Sequence, residues 1–287
     1  MPTRSKFVAR ISLLLVFCAV PPLLAQSGER ASTGALVLLG GGKSPPAVIA
    51  KFMELAGAAK GNIIVIPTAL EERDLTPERL AGIRETAHRL FGPSATVLHT
   101  RDAAVANSAE FVEPIRHATG VWVIGGDEHL LAAAYVGTRV EKEIRALFER
   151  GGVVGGTSAG AIIQGSVLPD GKADASSPVG FVIRGIMPAF DLLPKSIVMP
   201  HWSQRKLNFE MLKAMLAKNP GLLGIGIDED TAAVVQGRVL EVIGEHKVGI
   251  YDGAQHDGRN YLLLGSGDSF DLGRRGSTAP ARQESAR

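Results

Sequence analysis

The sequence predicts an α/β fold in which a mostly parallel sheet is flanked by helices. Short apolar runs alternate with amphipathic, helix-like segments from residue 35 to about residue 155, which is the pattern of successive βαβ units. The 34 glycines suit the many tight turns of such a fold. A hydrophobic fraction of 45% is enough for a sizeable core. The 287 residues therefore predict one α/β domain over residues 35–266.

The first half of the chain predicts five strands that end at a common edge. Strand-like runs occupy residues 35–39, 62–67, 96–99, 120–124 and 152–155, and helix-like segments occupy residues 45–59, 76–91, 108–118, 129–136 and 138–150. In parallel sheets, ligands bind beyond the carboxyl ends of the strands. The glycine-rich strand ends at residues 40–42, 125–128 and 155–158 should therefore converge on one cleft.

The second half predicts a different arrangement. A loop is expected over residues 167–178. Strand-like runs follow at 179–184, 196–199 and 223–227, with a helix over 205–218. Three further apolar runs predict a small C-terminal antiparallel meander, namely 232–235, 239–242 and 248–251, with one more strand at 261–264. Residues 267–287 are expected to be a disordered tail because the end of the chain is rich in Arg, Gly, Ser and Pro.

The first 25 residues have the layout of a secretory signal peptide. Three basic residues precede an apolar run over residues 11–24, and Ala25 offers a small residue for cleavage. The run is short for a transmembrane span, so cleavage is expected rather than anchoring. Residues 26–34 would form a flexible leader. We therefore expect a secreted or periplasmic bacterial protein with no stable membrane association.

Charge and composition exclude several classes of partner. Arg4, Lys6 and Arg10 lie in the signal segment, so their removal changes the formal charge from +2 to −1. Nothing in that balance favours nucleic acid or an anionic membrane, and an aromatic content of 5% argues against a base-stacking surface. Cys18 is the only cysteine, so the mature chain would have no disulfide and no thiolate metal site.

The segment 155–161, with the sequence GGTSAGA, predicts a serine nucleophile. It follows an apolar strand end, and residues 156–160 fit the G-x-S-x-G elbow that presents a serine on a sharp strand-to-helix turn. The amide of Ala159, at the start of the following helix, would face a developing oxyanion beside Ser158. The alternative is a tight structural turn that buries a serine.

A serine nucleophile requires a base and a second oxyanion donor. Of seven histidines, His201 directly follows a short strand, which places it at the carboxyl edge where Ser158 should lie. The glycine turn at 125–127 is the best source of a backbone amide, from Gly126 or Asp127. The alternatives are that His201 caps a strand-to-helix turn and that Asp127 caps a helix.

Four blocks along the chain resemble the cyanophycinase and dipeptidase E family of serine exopeptidases. The blocks are residues 125–128 (GGDE), 155–161 (GGTSAGA), 201–205 (HWSQR) and 226–232 (GIDEDTA), and the resemblance covers about residues 35–252. It implies a fold like that of class I glutamine amidotransferases, with Ser in place of the usual Cys. It also implies Ser158 as nucleophile and His201 as general base. No metal or organic cofactor is implied, and a homodimer is compatible with it.

The resemblance also implies an acidic residue between the serine and histidine blocks. In that loop we expect Asp174 to be the third member of the triad, with Asp170 as the alternative. Either carboxylate could instead be a solvated turn residue. Asp228, in the last block, would support the site, although a turn or capping carboxylate is its favoured role.

The chain departs from the cyanophycinase pattern near the substrate. Glu128 stands where those enzymes tend to have Gln, and Met199 and Pro200 stand in place of Asp and Gln. The arginine-rich helix after the histidine is reduced to Arg205-Lys206-Leu207. These departures weigh against cleavage of cyanophycin itself. Glu128 favours a substrate with a free amino group or a basic side chain, and Arg205 a substrate carboxylate.

The sequence therefore predicts a secreted serine exopeptidase that acts on small peptides or isopeptides. One alternative is an α/β-hydrolase esterase with a Ser158–Asp228–His256 triad. The other is a non-catalytic secreted binding protein on the same fold. Dinucleotide binding at residues 40–42 is disfavoured because the G-x-G-x-x-G spacing is absent.

Overall fold

The computed structural model describes residues 34–174, 176–177 and 181–277, which form two β-sheets surrounded by helices. The expected signal peptide (1–25) and nearly all of the leader lie outside the described residues. Within the described part of the chain, no helix combines the length and the apolar character needed to span a bilayer.

The described residues contain fifteen strands and eight α-helices. The strands are β1 (Ala35–Leu39), β2 (Ile63–Ile66), β3 (Thr96–Val97), β4 (Gly120–Val123), β5 (Val153–Thr157), β6 (Gly165–Ala173), β7 (Phe181–Pro188), β8 (Leu193–Pro200), β9 (Leu223–Ile227), β10 (Thr231–Gln236), β11 (Val239–Gly244), β12 (Val248–Tyr251), β13 (Leu262–Leu264), β14 (Ser269–Asp271) and β15 (Gly276–Ser277). The helices are α1 (Pro46–Leu55), α2 (Pro77–Phe91), α3 (Ala103–Ala106), α4 (Ala109–Arg116), α5 (Glu128–Tyr135), α6 (Arg139–Glu149), α7 (Ala159–Ile162) and α8 (Lys206–Lys218).

The first sheet confirms the predicted parallel core. Its order is β15–β14–β11–β10–β1–β5–β4–β2–β3, and the five strands from the first half of the chain are all parallel. Their carboxyl ends therefore share one edge, as the sequence predicts. The remaining four strands continue the sheet in antiparallel fashion beyond β1.

Burial on both faces explains why these strands read as unbroken apolar runs. Along β1, Leu36 and Leu38 belong to one hydrophobic cluster, whereas Val37 and Leu39 belong to another. All four side chains are fully buried. Phe52 of α1 packs edge-on against Trp122 of β4, with 5.0 Å between the ring centroids, and both rings belong to the second cluster.

The second sheet is a correction to the sequence prediction. It has six strands in the order β13–β12–β9–β8–β6–β7, and β8 pairs in parallel with both β6 and β9. The loop expected over residues 167–178 is wrong for most of its length, because β6 pairs with β7 as an antiparallel hairpin. Pro169, Asp170 and Gly171 suggested a turn, but tertiary pairing overrides such local preferences.

Two further predictions for the C-terminal region are wrong. The three-strand meander does not form, since β12 leaves β11 and pairs with β9 and β13 in the second sheet. An apolar run alone does not indicate which sheet will bury it, and β12 is buried along its whole length. The tail expected to lack structure contains β14 and β15, with Phe270 fully buried.

Candidate active site

Ser158 occupies a sharp turn between β5 and α7. Its backbone has φ 53° and ψ −118°, a combination that an L-residue adopts at a cost of about 1–3 kcal/mol. The turn is held by the Ser158 amide, which donates to the carbonyl oxygen of Leu39 at 3.0 Å. The strained conformation is that of the elbow predicted by the G-x-S-x-G pattern.

A hydrogen-bonded relay of three side chains begins at Ser158. The Ser158 Oγ lies 3.0 Å from the Nε2 of His201, and the His201 Nδ1 lies 2.6 Å from the Oε1 of Glu229. When Nδ1–H donates to the carboxylate, Nε2 is left as an acceptor for the serine hydroxyl. The arrangement has the chemistry of a Ser–His–carboxylate triad.

Two neighbouring strands of the second sheet deliver the histidine and the carboxylate. His201 directly follows β8, and Glu229 lies two residues beyond the end of β9. These strands are parallel, with Pro200 paired with Ile227, so the segments that follow them leave the sheet side by side. The His201 amide donates to the Gly40 carbonyl at 2.8 Å, which ties this edge of the second sheet to the end of β1.

The glycine segment after β1 lies against the ring of His201. Gly41 has φ 111°, and a Cβ atom there would lie 2.3 Å from the Cε1 of His201. Only glycine combines that backbone angle with so close an approach. Just beyond, the Lys43 amide donates to Asp230 Oδ1 at 2.5 Å, so the segment contacts the turns of both His201 and Glu229.

Trp202, the residue after His201, anchors the turn that carries His201. Its ring is buried and its Nε1–H donates to the Tyr251 hydroxyl at 3.2 Å. The same ring packs edge-on against Tyr261, with centroids 5.2 Å apart. Asn208 of α8 donates to the Pro200 carbonyl at 2.8 Å. His201 itself has φ 49°, a strained conformation that these contacts hold in place.

The turn at 125–127 lies directly beside Ser158, since a Cβ on Gly125 would be 3.0 Å from the Cβ of Ser158. Within the described chain, the amides of Gly126 and Ala159 have no hydrogen-bond acceptor, so both are available to an oxyanion. The Asp127 amide, the other predicted donor, donates to the Ala69 carbonyl at 2.8 Å. It is therefore not available to an oxyanion, and that prediction is wrong. Asp127 instead caps α5 by accepting from the His129 amide.

The carboxylate beside His201 is Glu229, not the predicted Asp174. The Asp174 Oδ1 accepts from the Oγ and amide of Ser176, at 2.6 and 2.9 Å, and these bonds lower the pKa of Asp174. The alternative, Asp170, pairs with Arg184 across the β6–β7 hairpin at 2.7 Å. The error follows from treating this hairpin as a free loop.

A signal for Glu229 was present in the sequence. The block at 226–232 places acidic residues after a strand, and the strand before His201 is its parallel neighbour. Carboxyl ends of parallel strands meet at one edge. The sequence predicts only Asp228 as a supporting carboxylate, because local sequence does not tell which of two adjacent carboxylates faces the histidine.

Asp228 is a buried structural residue. Its two carboxylate oxygens accept from the amides of Ser203 and Lys247, at 2.9 and 3.2 Å, so it fixes the turn that carries His201. His256 is paired with Asp252 at 2.9 Å. The Ser158–Asp228–His256 triad of the esterase alternative is therefore not assembled.

Known proteins with similar sequences identify the family of this chain. The profile of peptidase family S51 matches residues 36–243. The chain belongs to peptidase family S51. It is 30% identical over 227 residues to a cyanophycinase of Geminocystis herdmanii, covering 78% of this chain and 82% of that protein. A cyanophycinase of a Nostoc species is 29% identical over 263 residues, covering 88% and 86%.

A solved structure shares the fold. A peptidase from an acI-B1 Actinobacterium superposes with a TM-score of 0.66 at 24% identity, covering 84% of this chain and 98% of that one. The resemblance to the cyanophycinase and dipeptidase E family is thus confirmed, and so is the mixed α/β, amidotransferase-like fold. The protein is a serine-type peptidase.

Two charged residues near the relay of this S51 peptidase carry no described ion pair. Glu128, the first residue of α5, is partly buried, and its burial raises the pKa of the carboxyl, with the charge of Asp127 adding to the effect. Arg205 is exposed, and its amide donates to the His201 carbonyl at 3.1 Å. Both predicted substrate-binding residues thus flank the elements that hold the relay.

Two clusters in the described chain bring three metal-type ligand atoms within 4.8 Å of one another. One consists of Asp127, Glu128 and His129, where the Asp127 Oδ1 already lies 3.1 Å from the His129 Nδ1. The other consists of Asp230, Glu245 and His246. The Ser158 relay includes none of these side chains.

Proposed function

We propose that this S51 peptidase is a secreted exopeptidase that hydrolyses small peptides or isopeptides through an acyl-enzyme on Ser158. The proposal is carried by the relay from Ser158 Oγ through His201 to Glu229, with hydrogen bonds of 3.0 and 2.6 Å. A hydroxyl is a weak nucleophile until a positioned base takes its proton. Here the base, its orienting carboxylate and the strained serine turn all converge.

In the acylation step, Ser158 Oγ attacks the substrate carbonyl while His201 Nε2 takes the hydroxyl proton. Glu229 stabilises the resulting imidazolium and holds the ring in the required tautomer. The negative charge on the carbonyl oxygen is met by the amides of Gly126 and Ala159. Collapse breaks the C–N bond, and His201 gives its proton to the leaving amine.

Deacylation repeats the same proton transfers with water. His201 removes a proton from the water as it attacks the acyl carbon, and returns a proton to Ser158 Oγ as the ester bond breaks. The same two amides meet the second oxyanion. A single oxyanion-hole donor is typically worth about 3–4 kcal/mol of transition-state stabilisation.

The charged residues flanking the relay suggest how chain ends are recognised. Glu128 would attract a free amino group or a basic side chain, and Arg205 a carboxylate. A site with both charges favours short substrates, which is the basis for proposing an exopeptidase of small peptides. Because Glu128, Met199 and Pro200 depart from the cyanophycinase pattern, we do not extend the proposal to cyanophycin itself.

Secretion is proposed from the first 25 residues, whose basic start, apolar run and terminal Ala25 suit signal cleavage. The test is N-terminal sequencing of the protein recovered outside the cytoplasm of a bacterial host. A mature end near Gln26 supports export, and an intact N-terminus in the cytoplasm would refute it.

The activity is tested by mass-spectrometric analysis of a peptide panel incubated with the chain from Gln26 onward. The panel contains α- and β-aspartyl dipeptides, including β-aspartyl-arginine, together with dipeptides of basic residues. The control is Ser158→Ala, which removes only the nucleophilic oxygen. We expect cleavage that the variant lacks. If neither protein cleaves any peptide, the binding-protein alternative is favoured.

A further inference from the structure

The segment 68–70, which follows β2, holds the turn that supplies the oxyanion donor. The Ala69 carbonyl accepts from the Asp127 amide at 2.8 Å. A Cβ on Gly126 would lie 2.2 Å from that same carbonyl oxygen, so the two backbones are in direct contact. Gly126 has φ 153° and no side chain to fix it. The position of its amide therefore depends on the position of the Ala69 peptide.

Arg101 holds the Ala69 peptide through the carbonyls of the residues on either side of it. Its Nη2 donates to the carbonyls of Thr68 and Leu70, which flank Ala69, with 3.4 Å to the Thr68 oxygen and a shorter contact to Leu70. Its Nη1 donates to Glu72 Oε2 at 2.7 Å. A planar guanidinium is suited to such a multidentate contact, whereas a lysine ammonium is not.

A second set of contacts makes the segment rigid. The Thr68 Oγ1 is fully buried and lies 2.9 Å from His99 Nδ1 and 2.7 Å from the Tyr135 hydroxyl. The Tyr135 hydroxyl also accepts from the Thr100 amide at 3.3 Å. The segment is thus tied to the residues after β3 by its side chain and, through Arg101, by its carbonyls.

We propose that Arg101 is a positioning residue for the oxyanion hole, acting through the Thr68–Ala69–Leu70 carbonyls on the Gly126 amide. The proposal rests on the proposed Ser158 mechanism. Arg101 contacts neither Ser158 nor His201 in the described structure. Its loss would let the Ala69 peptide shift, and a misplacement of about 1 Å can cost about 100-fold in rate.

Arg150 provides a matched control within the same chain. Its Nη2 also donates to a set of backbone carbonyls, those of Ile115, Arg116 and Ala118, at 2.9–3.1 Å. These carbonyls precede the amino end of β4, at the opposite edge of the sheet from Ser158. Arg150→Ala therefore removes the same kind of contact without touching the oxyanion turn.

The experiment measures covalent labelling of Ser158 by a fluorophosphonate in the mature chain. The Oγ forms a bond to phosphorus, fluoride leaves with the P–F electron pair, the hydroxyl proton passes to His201, and the phosphonyl oxygen takes the place of the oxyanion. We expect Arg101→Ala to label about 10- to 100-fold more slowly than wild type, yet to full extent. Arg150→Ala should label within about threefold of the wild-type rate.

The rate constant and the final extent separate positioning from folding. A merely structural role for Arg101 would lower the extent of labelling and leave the rate constant of the remaining fraction unchanged, which would overturn the proposal. A rate constant within about threefold of wild type would overturn it as well. If Arg101→Ala shows no cooperative unfolding transition, and so is not folded, labelling is measured on Arg101→Gln instead. The same criteria for the rate constant and the final extent then apply.

Failure of the proposed function gives a different result. In that case the wild-type chain is not labelled at Ser158 and cleaves no peptide, and the Arg101 proposal falls with it. Labelling of wild type at an ordinary rate, with Arg101→Ala equal to Arg150→Ala, rejects the Arg101 proposal alone.

Discussion

The two halves of the candidate site are built in different ways. The nucleophile half comes from the first sheet, where Ser158 and the Gly126 turn follow β5 and β4. Each is a short, glycine-rich strand end. The acid–base half comes from the second sheet, where His201 and Glu229 follow β8 and β9. It depends on the pairing of two strands separated by a helix.

This difference predicts how substitutions in each half affect rate and stability. The nucleophile half relies on close backbone approaches at Gly126 and Gly156, where a Cβ would lie 2.2 and 2.4 Å from a neighbouring carbonyl oxygen. The acid–base half relies on buried side chains, namely the Trp202 ring and the Asp228 carboxylate. We therefore expect substitutions in the first half to affect rate more than stability, and supporting substitutions in the second half to affect stability more.

The largest effect tests whether the halves act as a unit. His201→Ala should lower kcat by about 10⁵- to 10⁶-fold, because the hydroxyl of Ser158 loses its base. Steady-state hydrolysis of the best panel peptide measures it. The double variant Ser158→Ala/His201→Ala should be no slower than either single variant. A rate near wild type in His201→Ala would rule this residue out as the base.

A smaller loss of kcat should follow from a substitution in the nucleophile half alone. Gly126→Ala places a methyl group against the Ala69 carbonyl and should lower kcat by about 10²- to 10³-fold, as when an oxyanion donor is lost. The measurement is kcat together with the midpoint of chemical unfolding. Gly221→Ala, where the structure leaves open space around a Cβ, is the control. Unchanged kcat in Gly126→Ala would contradict the assignment of this donor.

Substrate charge is expected to have a weaker effect, visible in KM. Burial raises the pKa of Glu128, so its charge is present above that raised value and is lost as pH falls through it. KM for an amino-terminal or basic peptide should therefore rise on acidification, starting at a higher pH than for an ordinary carboxyl. Glu128→Gln should raise KM about tenfold near neutral pH, about the weight of one charged contact, and should remove this pH dependence.

A KM for Glu128→Gln that equals the wild-type value at every pH would show that Glu128 does not contact the substrate. The informative controls are uncharged peptides, whose KM should be insensitive to both pH and the substitution.

The smallest effect on rate should come from the support of the acid–base half. In Asp228→Asn the side-chain NH2 group faces one of the two backbone amides that Asp228 accepts from, so that amide loses its acceptor. The substitution should lower the free energy of unfolding by about 1–3 kcal/mol and change kcat less than about tenfold. Denaturant unfolding and steady-state kinetics measure the two quantities. Glu54→Gln, at an exposed helical ion pair, should change stability by less than about 0.5 kcal/mol. A large fall in kcat without loss of stability would place Asp228 in the reaction itself.

The same contrast explains how much could be predicted from the sequence. The parallel core, the elbow at Ser158 and the position of His201 after a strand all follow from local patterns, because a buried strand, a glycine turn and a nucleophile elbow are each encoded within a few residues. Glu229 could not be separated from Asp228 in this way. Which of the two faces His201 is decided by the register of β8 and β9 and by the amides of Ser203 and Lys247.

The wrong predictions have the same physical origin. The turn-forming residues around Pro169 and Gly171 favoured a loop, and only pairing with β7 makes that segment a strand. The β12 run is apolar in either sheet. Long-range pairing, which a single sequence does not display, determined both outcomes.

The central claim is that Glu229, rather than an acid of the β6–β7 hairpin, completes the relay with His201. It is tested most directly by kcat for Glu229→Gln beside Asp174→Asn on the same peptide. We expect Glu229→Gln to lose about 10⁴-fold, since the amide no longer stabilises the imidazolium or the required tautomer, and Asp174→Asn to stay within about twofold of wild type. The reverse pattern, with Asp174→Asn impaired and Glu229→Gln active, would contradict the relay.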